Sequence, residues 1–365
     1  MHLQQLVVIL KLTKACNLNC AYCYEGTHHS AFLPEPLLFK CMDEALALTD
    51  HVTFTLHGGE PLLAGKRFFC NLLQRRPANI SERHSVTYHL QTNGTLIDQE
   101  WADMFARYQV HVGISLDGPE FINDRNRIWS NGRGTFRTVY DHTALLQARG
   151  VEPGCLAVIT RESRKHVREI FEFFQSGPFK FIDLLPCTAR QGHCGCSEPG
   201  EMLSPGDYAA FMTAFFDLWM ASSRSFQVRT FADMIRTRAG SEAQTCSFIY
   251  PKSCVCQIIA VDVNADIYPC DRLLGFEGTR IGNIADQSLA EIISGQRARH
   301  FIAVANSLPQ QCCDCNVITQ CYGGCVYHRF IGTPGPPQVS YFCHSYKSIL
   351  RHIEKRLPAG ESLCI

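Results

Sequence analysis

Cys16, Cys20 and Cys23 form a C-x3-C-x2-C triad. Three thiolates do not complete a closed tetrahedral zinc site. They suit the cubane of a 4Fe–4S cluster, holding three irons and leaving the fourth open to another ligand. A denser array follows near the C-terminus: Cys312-x2-Cys315-x5-Cys321-x3-Cys325-x17-Cys343, with Cys246, Cys254, Cys256 and Cys270 upstream. Such close pairs are metal signatures, and by spacing alone zinc is the simplest occupant. Cys187 with His193, Cys194 and Cys196 reads as a reactive loop rather than a further metal site. Three polar turns separate these groups: Gly58-Gly59-Glu60-Pro61, Gln91-Thr92-Asn93-Gly94 and Ser115-Leu116-Asp117-Gly118. Two glycines let backbone carbonyls approach a cation, and Glu60 adds negative charge.

The triad, with aromatic Tyr22 before its last cysteine, and the three turns resemble the radical S-adenosylmethionine (SAM) superfamily. The C-terminal array resembles the SPASM domain of its peptide and protein maturases, so the resemblance spans nearly the whole chain. It implies S-adenosylmethionine and three 4Fe–4S clusters, one open-site and two auxiliary. Cys16, Cys20 and Cys23 hold the first. Gly58, Gly59 and Glu60 line the methionine end of the cofactor, Asn93 and Ser115 face its ribose or carboxylate, and Tyr22 lies near its adenine. Cys270 and Cys325 join Cys246 and Cys254 on one auxiliary cluster, with Cys256 competing for the place of Cys254. Cys312, Cys315, Cys321 and Cys343 hold the other, with Cys313 competing for the place of Cys312. Eleven of the twenty cysteines are ligands on this reading. The family's glycine five residues before Cys270 is Ala265 here. Asn264 precedes it and tolerates a left-handed turn, so the turn is expected to shift by one residue.

The resemblance implies a 5′-deoxyadenosyl radical that takes a hydrogen atom from a side chain of a peptide or protein substrate. Asp271, directly after Cys270, matches the base of sulfatase-maturing enzymes. The run Cys270-Asp271-Arg272-Leu273 also resembles maturases that crosslink ribosomally made peptides. An oxidative crosslink is the leading expectation, and oxidation of Ser or Cys to formylglycine in a sulfatase is the alternative. From another class stands a non-catalytic, zinc-rich binding module. An external electron donor such as flavodoxin or ferredoxin is implied as a partner.

These residues need a scaffold, and composition allows one. The 365 residues are 46% hydrophobic and 19% charged, which excludes a disordered chain. Lys+Arg and Asp+Glu both total 34, which argues against nucleic acid as a partner. The apolar run Leu6 to Leu10 is too short for a signal peptide or a membrane span. A cytoplasmic location, where thiols stay reduced, is expected.

Six strand-like runs alternate with helical patterns: Leu6–Lys11, Val52–His57, Ser85–Gln91, Val110–Ser115, Cys155–Thr160 and Phe179–Leu185. That order predicts an α/β fold, a partial (β/α)6 TIM-like barrel that is laterally open. Cys41, Cys70 and Cys155 fall inside these elements and read as core. Ser204-Pro205 opens a further helix, and Ser345–Leu357 reads as a closing one. The boundary is expected near 225–245, dividing a barrel over 1–235 from a Cys-rich SPASM domain over 236–365.

Overall fold

The computed structural model describes residues 3–25, 30–75, 84–188, 202–244, 257–331 and 338–357. Strands β1 (Leu6–Thr13), β2 (His51–Gly58), β3 (Ser85–Thr92), β4 (His111–Ser115), β5 (Gly154–Ile159) and β6 (Phe181–Pro186) pair in sequence order, all parallel. Two-residue β7 (Gln227–Val228) extends that edge in parallel. At the other edge β8 (Ile258–Val261) lies parallel to β1, followed by antiparallel β9 (Asp266–Tyr268) and β10 (Gly282–Asn283). The sheet runs β10-β9-β8-β1-β2-β3-β4-β5-β6-β7 and ends there, so the barrel is open between its two edges.

Helices α1 (Glu35–Leu48), α2 (Lys66–Gln74), α3 (Gln99–Arg107), α4 (Glu120–Asn126), α5 (Phe136–Ala148), α6 (Val167–Ser176), α7 (Pro205–Met220) and α8 (Arg229–Arg238) follow the strands. In α1 the buried positions Leu38, Cys41, Met42, Ala45 and Leu46 form one helical stripe. It packs against β1 and β2, whose alternate positions, among them Val8, Leu10, Phe54 and Leu56, are buried in the same core. Cys41 and Cys155 are buried, as expected of core positions, whereas Cys70 is only half-buried. Short α4 and the strands β8–β10 were not foreseen. The division at 235/236 falls within α8, and the chain beyond it returns to the sheet through β8.

Ser204 caps α7, its Oγ accepting from Asp207 N–H at 3.1 Å. The C-terminal helix Cys343–Arg356 packs on α7. His352 Nε2 and Arg356 Nε both meet Asp217 Oδ1, at 2.8 and 2.9 Å. Cys343 is thereby fixed at the first turn of a braced helix. Among the described residues no helix is long and apolar enough to cross a membrane.

Candidate active site

Parallel strands deliver their following loops to one end of the sheet, where ligands bind. The loop after β1 carries the triad and is anchored on both sides. Gly59 N–H donates to Thr13 O and Glu60 N–H to Ala15 O, each at 2.8 Å. On the other side Asn19 N–H donates to Ile128 O at 2.8 Å and Ala21 N–H to Asn126 O at 2.9 Å. A Cβ on Gly58 would lie 2.3 Å from Thr13 O, and one on Gly59 2.2 Å from Ala15 O. The glycines are therefore required by the approach of the chain's own backbone. None of the three thiols is in a disulfide, and all are half-buried. Burial pushes the Cys16 thiol up to about 12 and Cys20 to about 11, and each thiol feels its neighbours. Iron binding would displace those protons. Three adjacent thiols without a disulfide fit the open-site cluster.

The polar turns brace this loop. Glu60 is fully buried, accepting from Leu62 N–H (3.0 Å), Thr92 Oγ1 (2.7 Å) and Asn93 N–H (2.8 Å). Burial raises its pKa to about 7 against those hydrogen bonds. Asn93 Nδ2 reaches Asn17 Oδ1 at 2.9 Å and Cys16 Sγ at 3.8 Å. Ser115 Oγ accepts from Gln91 Nε2 at 2.9 Å. Tyr22 donates its hydroxyl to the buried Asp117 carboxylate. Asp117 is thus more than the turn residue its sequence context implies.

Cys312, Cys315, Cys321 and Cys343 line one apolar cleft together with Ile318, Val339 and Tyr346. Their mutual proximity raises the thiol pKa of Cys312 and Cys321 further, after burial. Four thiols around one apolar cleft fit a multi-iron cluster. Cys313 is exposed, whereas its neighbour Cys312 faces the cleft. Cys325 lies in the electrostatic field of Asp271 and Arg272, so it is close to the Cys270 loop. Cys187 is buried after β6. Cys246, Cys254, Cys256, His193, Cys194, Cys196 and Cys364 lie outside the described residues. Among the described residues no three His, Cys, Asp or Glu side chains gather as a single metal ion requires.

The expected shift of the turn before Cys270 does not occur. Ala265 itself takes the left-handed conformation, φ +67°, while fully buried. Its N–H donates to Asp262 O at 2.8 Å and its carbonyl accepts from Ile284 N–H at 2.9 Å. These bonds hold a non-glycine residue where glycine is ordinarily favoured.

Asp271 meets the first loop. Tyr24 Oη donates to its Oδ2 at 3.1 Å, and Lys11 Nζ stands 3.6 Å away. Lys11, from β1, has no exposed surface, and it also reaches Tyr24 Oη at 2.8 Å, Glu25 Oε1 at 2.5 Å and His57 Nδ1 at 3.3 Å. Burial disfavours the Asp271 charge, but Lys11 and then Arg272 outweigh it and hold the carboxyl well below its usual range. Arg272 turns away, its guanidinium 4.9 Å over the Tyr24 ring and 4.6 Å over Tyr327, with Thr188 Oγ1 at 2.9 Å. Lys11, Tyr24, Glu25 and His57 escape motif reading. A lysine inside the apolar run LVVILKLT was the one local signal.

The chain matches the radical SAM superfamily model over residues 10–174 and an iron–sulfur cluster-binding SPASM model over 254–316. The chain is a radical SAM protein with a SPASM domain. The radical SAM and SPASM domains of this enzyme imply S-adenosylmethionine and 4Fe–4S clusters as its cofactors. It is 29% identical to a cysteine-type anaerobic sulfatase-maturating enzyme of Clostridium perfringens, over 96% of both chains. It is 27% identical to a serine-type enzyme of Bacteroides thetaiotaomicron, over 95% of this chain and 89% of that one. A solved structure of anSMEcpe with AdoMet and the Cp18Cys peptide superposes with a TM-score of 0.86 at 28% identity, covering 96% and 97% of the two chains. Streptococcus suis SuiB bound to its precursor peptide SuiA shares the fold, with a TM-score of 0.65 at 16% identity over 92% and 75%.

Proposed function

We propose that this radical SAM enzyme is a peptide maturase that removes two hydrogens from the side chains of a peptide substrate. When bound, the cofactor and clusters supply a 5′-deoxyadenosyl radical and accept the remaining electron. The chain's own part is proton transfer and placement. Asp271 accepts the proton, Lys11 and Tyr24 hold its carboxylate, and the open flank of the barrel admits a peptide. The observation that carries this reading is Asp271: an ionised carboxylate beside Cys270, bonded to the residue that follows Cys23.

The leading product is an oxidative crosslink. A side-chain carbon that has lost its hydrogen atom bonds to an aromatic ring, and the ring then releases its proton to Asp271 and one electron onward. The balance is one new bond and the loss of two hydrogens. Formylglycine formation in a sulfatase is a second reading, favoured by the similarity to sulfatase-maturating enzymes along the whole chain. An electron donor of the flavodoxin or ferredoxin kind is part of the proposal.

The test is anaerobic co-expression with peptides encoded beside the gene, and incubation with a peptide carrying a sulfatase maturation site. Mass spectrometry is expected to show the loss of two hydrogens and, for a crosslink, missing fragments between the joined residues. An aldehyde trapped by a hydrazide on the sulfatase peptide selects the second reading. Unmodified peptides alongside 5′-deoxyadenosine formation would refute both.

A further inference from the structure

Arg127 is only 8% exposed, and nothing in the proposed reaction uses its charge. It follows α4, and its chain neighbours Asn126 and Ile128 take the amide hydrogens of Ala21 and Asn19. A bridge between Leu18 and Trp129 continues that pairing. The triad loop therefore lies along the segment that carries Arg127. The side chain reaches back into the loop. Its Nε donates to Asp117 Oδ1 at 3.1 Å, its guanidinium sits 5.3 Å over the Tyr22 ring, and its positive charge acts on the Cys20 thiol. Asp117 is held in turn by the Tyr22 hydroxyl and by Val158 N–H at 3.1 Å. A guanidinium does not lose its proton, so this buried charge is permanent.

We infer that Arg127 sets the reduction potential of the cluster held by the first triad, by fixing one buried positive charge beside the loop that carries Cys20. A reduced cluster carries one more negative charge than the oxidised one. A fixed cation beside the cluster's ligand loop therefore favours reduction and raises the potential. Burial keeps water from screening the effect. Asp117 holds the guanidinium in place and offsets part of its charge, so it acts in the opposite sense. Arg127 is a positioning residue, since it acts through Cys20. The inference rests on Cys20 as an iron ligand, which Cys20→Ala tests separately through loss of that cluster's iron.

The experiment is a redox titration followed by electron paramagnetic resonance on the full chain with its clusters. The first cluster is identified as the signal that changes when S-adenosylmethionine is added. Arg127→Gln is expected to lower its midpoint potential, and Arg127→Lys to remain between Gln and the parent. Asp117→Asn, which leaves the arginine uncompensated, is expected to raise it. Iron counts establish occupancy in each variant. If Arg127→Gln does not hold the cluster, Arg127→Lys and Asp117→Asn carry the comparison. Unchanged potentials in occupied variants, or shifts of the same sign for Arg127→Gln and Asp117→Asn, overturn the proposal and reduce Arg127 to a brace of the loop. A parent protein in which no signal responds to S-adenosylmethionine counts instead against the triad as the cofactor-binding cluster.

Discussion

Lys11 carries an ammonium with no exposed surface between two acidic side chains, Glu25 at 2.5 Å and Asp271 at 3.6 Å. Burial works against its charge, but Glu25, Tyr24 and Asp271 outweigh that penalty and hold its pKa above the usual lysine value. Removing one partner from such a group leaves uncompensated charge in the interior. Lys11→Met is expected to lower unfolding free energy by about 3–5 kcal/mol, measured by urea denaturation under anaerobic conditions. A loss under about 1 kcal/mol would mean that the network is hydrated and weak. Asp271 belongs to the same cluster but has a different task. Asp271→Asn keeps the shape and removes the proton acceptor. It should leave 5′-deoxyadenosine formation intact while product falls by about 100-fold or more. Full product formation by this variant removes Asp271 as the base.

At the level of elements, the site depends on one stitch between the loops after β1 and β2. Gly59 has no room for a Cβ because the carbonyl of Ala15 occupies that position. Gly59→Ala must push the triad loop away from β2. The purified variant is expected to hold about eight irons instead of about twelve, the first cluster being lost and the auxiliary pair kept. An unchanged iron count would show that the loop yields without consequence. Strands β1 to β6 and the three polar turns were legible in the sequence because each is a local pattern: runs of strand length rich in apolar and β-branched residues, with Gly or Asn turns after β2, β3 and β4. The pairing of β8 with β1 was not legible, since it joins segments some 250 residues apart. The ties from Lys11 to Asp271 and from Tyr22 to Asp117 depend on such long-range placement too. Ala265 went astray for the opposite reason. Local preference favoured moving the turn to Asn264, but the hydrogen bond Ala265 donates to Asp262 and the one it accepts from Ile284 fix it in place.

The whole molecule is one extended sheet in which the Cys-rich segment returns to the barrel edge through β8, setting Asp271 against the triad loop. It also buries histidines from both parts of the chain. Burial, then Lys11, lowers the pKa of His57 from 6.5 to about 4, and burial, then Arg272, lowers that of His328 to about 3. Both stay neutral when folded and bind protons near pH 6.5 when unfolded. The unfolded state therefore holds more protons below about pH 6.5, and stability falls as pH drops toward 4. Each pH unit in that window costs roughly 1.4 kcal/mol per histidine. Urea midpoints between pH 7 and 5 should decline on acidification, and a rise would contradict the assignment. The central claim is that the first triad starts a radical reaction on S-adenosylmethionine while the C-terminal cysteines hold separate clusters. Its most direct test is 5′-deoxyadenosine formation by a variant carrying Cys16→Ala, Cys20→Ala and Cys23→Ala, with iron counted in the same sample. The account predicts no 5′-deoxyadenosine and about eight irons retained. Continued cofactor cleavage by that variant, or a colourless parent protein containing zinc, would contradict it.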